Sequence, residues 1–123
     1  QTPEQYDALA PDGAEIRTLI QMSGGGLAHR TLPPEQTSQA HAYQMVDEIW
    51  YVIEGQGEVW RKEGKREEVV AVSPGTCLSI PTGTHFQFRS AGPQPLRLIV
   101  ATIPPWPGPQ EAVRVRDYWP NDP

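Results

Sequence analysis

The 123-residue chain has a single cysteine, Cys77, no long apolar run and no run of basic residues. One cysteine excludes an internal disulfide framework, and we expect Cys77 to be an inert thiol in the core. The longest apolar stretches fall far short of the ~18 residues that a membrane-spanning helix needs. Ten Lys and Arg against 15 Asp and Glu give a net charge of −5, without the basic face that binds nucleic acid. We therefore expect no membrane partner and no nucleic-acid partner.

The size and composition indicate a folded domain. A chain of 13.7 kDa fits one domain, and we treat 1–123 as a single unit. Hydrophobic residues make up 37% and charged residues 20%, which argues against wholesale disorder. No secretory signal pattern is visible, so we expect a cytoplasmic protein.

Proline and glycine, by contrast, are plentiful, with 14 and 11 residues that punctuate short segments rich in β-branched and aromatic side chains. Such spacing predicts an antiparallel β-sandwich or barrel. The 49–53 segment, IWYVI, is apolar throughout, so we expect both of its faces to be covered. A helix is credible only within 3–10, and it would be short. The predicted strands are 15–22, 27–32, 49–53, 57–62, 67–72, 77–80, 85–89 and 96–102.

Glu48 is the residue most in need of an explanation, because it opens the most apolar segment of the chain. A carboxylate in an apolar strand is costly unless it is paired, hydrogen-bonded or metal-bound. Asp47 precedes it, and strand alternation sends the two side chains to opposite faces. Either both carboxylates are solvated at a strand end, or Glu48 points inward with a partner. The candidate partners are His41 and Tyr43, which end the preceding polar loop.

The spacing of these residues resembles the first motif of the cupin family. That motif reads G-x5-H-x-H, three or four residues, Glu, six residues and Gly, and the chain has HAYQMVDE followed six residues later by Gly55. The second motif, G-x5-P-x-G-x2-H-x3-N, resembles the stretch that begins with Gly75 and continues through Pro81 and Gly83. The resemblance covers 36–90 directly and implies an all-β cupin barrel, or jelly roll.

The resemblance also implies an oligomeric state, because small cupins are often dimers. We therefore expect a homodimer. Its second subunit would contact the N-terminal arm, 1–14, and the proline-rich strap, 103–123.

The resemblance implies a metal-ligand set that this chain lacks in part. Metal-binding cupins typically use two His and the Glu of the first motif, with the His of the second. Those positions fall here on His41, Tyr43, Glu48 and Phe86. Two of the four usual ligand types are too few for a tight transition-metal site. We name no cofactor; a divalent transition metal, where bound, would be held by His41, Glu48 and His85.

The orientation of the 85–89 strand decides whether His85 reaches the barrel interior. Either His85, Gln87 and Arg89 point inward, or Phe86 and Phe88 do. We favour the two phenylalanines, because the other arrangement would bury an arginine and expose both rings. A local bulge that brings His85 to the mouth of the barrel is a third arrangement.

The same alternation places Trp50 on the face of Glu48 and predicts an aromatic pocket with three titratable groups. Such a pocket suits a flat or apolar small organic molecule held by a few polar contacts. The alternative is that the aromatic rings only fill a small barrel. The predicted lining residues are His41, Tyr43, Glu48, Trp50, Phe86 and Phe88.

Three functions are consistent with these residues. The first is an enzyme of isomerase, cyclase or lyase type, with His41 as base, Tyr43 as acid or hydrogen-bond donor, and Glu48 orienting the imidazole. The second is a metal-dependent cupin with oxygenase or Lewis-acid chemistry. The third is a cupin that binds a small molecule without catalysis.

Overall fold

The structure, a computed structural model, describes residues 5, 8–9 and 13–120. In this part of the chain it contains strands and one short 3-10 turn, Pro109–Glu111, and no α-helix. The strands are β1 (Ala8–Leu9), β2 (Glu15–Met22), β3 (Gly25–Leu32), β4 (His41–Tyr43), β5 (Asp47–Glu54), β6 (Gln56–Glu63), β7 (Arg66–Val72), β8 (Cys77–Ile80), β9 (His85–Ala91), β10 (Leu96–Ile103) and β11 (Ala112–Arg114).

Two antiparallel sheets face each other and enclose the core. One has the strand order β1-β2-β3-β10-β5-β8, and the other has the order β11-β4-β9-β6-β7. The largest fully buried side chains are Trp50 of one sheet and Phe86 and Phe88 of the other, and the Trp50 ring meets each phenyl ring edge to face. The predicted all-β antiparallel sandwich is confirmed.

The eight predicted strands all form, with ends within two residues of those expected. Three short strands, β1, β4 and β11, were not predicted, because two or three residues are too few to show alternation. The helix considered for 3–10 falls mostly outside the described residues, and Ala8–Leu9 forms a strand that pairs with β2.

The first-motif glycine, Gly55, allows β5 to turn directly into β6. Its φ is +83°, and a Cβ at this position would lie 2.1 Å from the carbonyl oxygen of Pro95. Only glycine fits such a close approach of two backbone segments.

The outer face of β5 corrects one expectation. Trp50 and Val52 are fully buried, but Ile49, Tyr51 and Ile53 are 45%, 48% and 40% exposed. The strand is apolar throughout, yet only its inner face is covered within this chain. Apolar composition alone does not distinguish a strand covered on both faces from one that presents an apolar surface outward.

Strand β9 turns Phe86 and Phe88 into the core, as favoured above. Gln87 is also fully buried, because the end of the chain covers the outer face of this strand. The backbone N–H groups of Tyr118 and Trp119 donate to Gln87 Oε1, each at 2.8 Å. Gln87 Nε2 in turn donates to the carbonyl of Ser38 at 2.8 Å and to that of Trp119 at 2.9 Å.

The last described residues of the proline-rich strap contact their own chain, and the packing of the strap on a second subunit stays a prediction. Tyr118 stacks on Trp60, with ring centroids 5.3 Å apart, and the Arg89 guanidinium lies 4.3 Å from the Trp119 ring. This portion of the strap docks on its own chain, because Gln87 offers a complete set of hydrogen-bond partners for the backbone there.

Cys77 was expected in the core, but its side chain is exposed on β8. The next residue, Leu78, takes the inward position instead. Over the ranges that the structure describes, no helix is long and apolar enough to cross a membrane.

Candidate active site

A cavity of about 480 Å³ opens between the two sheets. Apolar side chains of β2 and β3 and the proline-rich strap form most of its wall. Its charged and titratable groups are Arg30, His41, Tyr43 and Glu48. A mostly apolar cavity with a few convergent polar groups is the usual form of a small-molecule site.

Glu48 lies at the centre of the polar groups and is 1% exposed. It faces inward because β5 pairs with β10, which sets Thr102 directly opposite. Tyr43 Oη and Trp50 Nε1 donate to its Oε1 at 2.8 and 2.9 Å, and Thr102 Oγ1 donates to its Oε2 at 2.8 Å. Three donors from three strands thus satisfy a carboxylate that has left water.

Arg30 supplies a positive charge beside this carboxylate. Its Nη2 lies 3.6 Å from Glu48 Oε1, and the side chains of the pair are 7% and 1% exposed. The guanidinium carbon is 5.3 Å from the centre of the Trp50 ring, within the range of a cation–π contact. Each buried charge therefore has a counter-charge, which a stable buried ion needs.

His41 reaches the cavity from β4, which lies between β11 and β9 in the second sheet. His41 and Glu48 line the same cavity from different sheets, and not from neighbouring strands as expected. Its Nδ1 lies 3.2 Å from the carbonyl oxygen of Gln39. In the neutral ring this contact favours the tautomer with the proton on Nδ1, so that Nε2 carries the lone pair.

The end of the chain holds β4 in place. Asp117 Oδ1 accepts a hydrogen bond from the Ala40 amide at 3.0 Å, and Arg114 donates to both Asp117 oxygens at 2.6 and 2.9 Å. The Arg114 hydrogen bond lowers the pKa of the Asp117 carboxyl, against the opposing effect of burial. This pair fixes the backbone immediately before His41.

The proline-rich strap forms one side of the cavity. Trp106 lies at the wall and meets the Tyr43 ring edge to face at 5.5 Å. Glu111, which is buried, accepts hydrogen bonds from the backbone N–H groups of Met45 and Val46 at 2.5 and 2.7 Å. The strap is thus anchored next to the loop that precedes Glu48.

A comparison of the sequence with models of known protein families identifies the family of this chain. The cupin domain model matches residues 28–102, which contain every charged or titratable group of the cavity. The chain belongs to the cupin family.

Three known proteins are similar to this cupin over most of its length. An uncharacterized protein of Methanocaldococcus jannaschii, MJ1618, is 27% identical over 111 residues, covering 83% of this chain and 86% of that protein. An uncharacterized double-stranded β-helix protein of Klebsiella pneumoniae matches with a TM-score of 0.70 at 16% identity, covering 85% of each chain. The capsular polysaccharide assembling protein CapF of Staphylococcus aureus matches with a TM-score of 0.72 at 16% identity, covering 85% of this cupin but 32% of CapF. These structural likenesses show the fold and leave the activity open.

The positions that hold metal in other cupins come together here, but their side chains do not fit a metal. His41, Tyr43, Glu48 and Phe86 all line the cavity, and a phenyl ring has no donor atom. Glu48 already accepts three hydrogen bonds and lies beside the cation Arg30. Within residues 5, 8–9 and 13–120, no group of three or more His, Cys, Asp or Glu side chains is placed to hold a metal ion.

Three predicted site residues lie away from the cavity surface. Trp50 and Phe88 are fully buried behind it and fill the core, although the Trp50 indole N–H reaches Glu48. His85 is on the opposite side of β9 from Phe86, because neighbouring residues of a strand alternate. The conditional ligand set of His41, Glu48 and His85 is therefore not brought together, and no bulge moves His85 inward.

Sequence reasoning missed Arg30, Thr102 and Trp106. Arg30 and Thr102 stand far from Glu48 along the chain and become its neighbours only because β10 lies between β3 and β5. The inward carboxylate did require a partner, and an arginine inside a predicted strand was a signal for one. Trp106, in the proline-rich strap, also lines the cavity.

Proposed function

We propose that this cupin is an enzyme that isomerises a small, largely apolar organic molecule by proton transfer. The observation that carries the proposal is an imidazole of fixed tautomer, His41, in the same apolar cavity as a buried arginine–carboxylate pair. A base and a fixed positive charge are the two elements needed to move a proton next to a carbonyl group. The substrate class is therefore a compound with an apolar body and an enolisable carbonyl end.

In the proposed reaction, His41 Nε2 removes a proton from the carbon beside the carbonyl group. The electron pair moves onto the carbonyl oxygen, where the charge of Arg30 stabilises it. Where the substrate has a β,γ double bond, the protonated imidazole then returns the proton to the γ carbon, the electron pair of the enolate re-forms the carbonyl group, and the double bond moves into conjugation with it.

Tyr43 and Glu48 have supporting roles in this scheme. The Tyr43 hydroxyl donates a hydrogen bond to Glu48, so its oxygen is left to accept a hydrogen bond from the ligand. Glu48 holds Tyr43, Trp50 and Thr102 in fixed positions and offsets the charge of Arg30. In this scheme His41 keeps the role of base, and it also returns the proton, which was the role considered for Tyr43.

The proposal predicts that His41→Gln lowers the rate of proton exchange by about 100-fold or more, because the base is lost. Small ketones and keto acids that raise the melting temperature are incubated with the protein in D₂O, and loss of the C–H signal is followed by ¹H NMR. The matched control is His85→Gln, which changes a histidine outside the cavity and should exchange at the wild-type rate. Equal exchange in wild type and His41→Gln would remove His41 from the mechanism.

A second candidate function is small-molecule binding without catalysis. The hydrogen bonds of Glu48 favour it. Both carboxylate oxygens accept hydrogen bonds within the protein, so Glu48 is not suited to act as a base. The same experiment separates the two functions. Compounds that bind and show no exchange with the wild-type protein would support a binding protein and not an enzyme.

We also propose that the chain forms a homodimer through the outer face of β5. Ile49, Tyr51 and Ile53 project from this face, and Ile99 of β10 lies directly opposite Tyr51. Contiguous exposed apolar side chains of this kind mark interaction surfaces in soluble proteins. A two-fold axis would place the same apolar patch on both sides of the interface.

Tyr51→Arg should convert this dimer to a monomer, because it would bury like charges across the two-fold axis. Light scattering coupled to size-exclusion chromatography measures the mass directly. The control is Val69→Arg, which places the same charge at an exposed apolar residue of the other sheet. A wild-type protein that is monomeric at high concentration, or a Tyr51→Arg variant that remains dimeric, would contradict the proposal.

A further inference from the structure

Arg30 lies beside the positions that bind metal in other cupins. The four positions at which metal-binding cupins carry ligands surround one cavity here, and Arg30 points into the same cavity. Its side chain is 7% exposed, and its Nη2 lies 3.6 Å from Glu48 Oε1. The one carboxylate of that ligand set therefore already has a cation beside it.

A metal on Glu48 would meet two obstacles. A transition metal binds a carboxylate oxygen at about 2.0–2.2 Å, which would bring a divalent charge within a few ångströms of the guanidinium. Two positive charges at such a distance in a buried site repel each other strongly. The metal would also compete with the hydrogen bonds from Tyr43 and Trp50 to Oε1 and from Thr102 to Oε2.

We infer that Arg30 replaces the metal as the resident cation of this cavity and excludes divalent ions from it. The guanidinium neutralises Glu48, and its central carbon lies 5.3 Å from the centre of the Trp50 ring, so that both neighbours hold the cation in place. The absence of an imidazole at position 86 is then only one of the reasons why the cavity does not suit a metal. Restoring the imidazole without removing the charge should not restore binding.

The inference is tested by metal affinity alone, so its result does not depend on the proposed reaction. Zn²⁺ and Ni²⁺ are titrated calorimetrically into Phe86→His alone, and into Phe86→His combined with Arg30→Met, Arg30→Gln or Arg30→Lys. We expect weak binding by Phe86→His and by the Arg30→Lys combination, which keeps the charge. The Arg30→Met and Arg30→Gln combinations should bind about 100-fold more tightly, the upper end of the effect of groups that surround a metal site.

The matched control is Arg17→Met combined with Phe86→His. Arg17 is on β2, outside the cavity wall, and pairs with Glu15, so its removal should leave the affinity of Phe86→His unchanged. Circular dichroism checks that each variant is folded. The Gln variant provides the comparison where the Met variant does not fold, since an amide has N–H donors for a neighbouring carboxylate and a methionine has none.

Two results would overturn the inference. Folded Met and Gln double variants that bind no more tightly than Phe86→His would show that Arg30 excludes nothing. Equal affinities for the Lys and Met double variants would assign the effect to side-chain shape and not to charge.

Discussion

Replacing Glu48 by alanine is expected to lower the free energy of unfolding by about 3–5 kcal/mol, the usual cost of breaking a buried ion pair from one side. The substitution leaves Arg30 buried without its counter-charge. It also removes the acceptor of the hydrogen bonds from Tyr43, Trp50 and Thr102. Urea denaturation of wild type and variant gives the difference directly.

Two further variants separate the charge of Glu48 from its hydrogen bonds. Glu48→Gln keeps the shape and one acceptor oxygen, so it should fold with a smaller loss of about 1.5–3 kcal/mol. Glu48→Leu combined with Arg30→Met removes both charges and should cost less than Glu48→Ala, because a buried pair replaced by apolar groups often leaves stability unchanged.

The control for the Glu48 variants is a carboxylate on the protein surface. Glu54 accepts a hydrogen bond from Arg97 at 2.8 Å, but both side chains are substantially exposed. Glu54→Gln should therefore change stability by less than about 1 kcal/mol. A loss for Glu48→Ala no larger than that of the control would place Glu48 at a solvated strand end.

The fold was predictable because alternation and turn residues are local signals. The strands at 15–22 and 77–80 have the predicted ends, and the glycine of the first motif allows the turn after β5. The outer face of β5 was not predictable in the same way. Its exposed isoleucines and tyrosine look the same in the sequence as residues that a second layer covers.

Only the residues of the candidate site that belong to the two motifs could be predicted from the sequence. His41, Tyr43, Glu48 and Phe86 line the cavity as their motif positions imply. Arg30 and Thr102 reach Glu48 through the order of strands β3, β10 and β5, which no local pattern records. The same limit applies to the strap, whose docking depends on hydrogen bonds between its backbone and the side chain of Gln87.

Trp50 could either fill the core or form part of the pocket wall, and the structure places it in the core. It is fully buried, and it packs edge to face on Phe86 and Phe88 with centroids 5.5 and 5.0 Å away. Trp50→Ala should therefore lower the free energy of unfolding by about 3–5 kcal/mol, the range for truncating a buried aromatic residue. The indole N–H that reaches Glu48 is lost as well.

Two further variants serve as comparisons for Trp50→Ala: Trp50→Phe at the same position and Trp106→Ala at the cavity wall. Trp50→Phe keeps an aromatic ring but removes the donor to Glu48, so it should cost less than Trp50→Ala. Trp106 is 37% exposed at the cavity wall, so Trp106→Ala should change stability little and weaken ligand binding instead. Urea denaturation and ligand-dependent melting temperatures give the two readouts for each variant. A Trp50→Ala variant of nearly wild-type stability that binds ligand poorly would place Trp50 at the wall of the cavity, and the core would then have to be held by Phe86 and Phe88 without it.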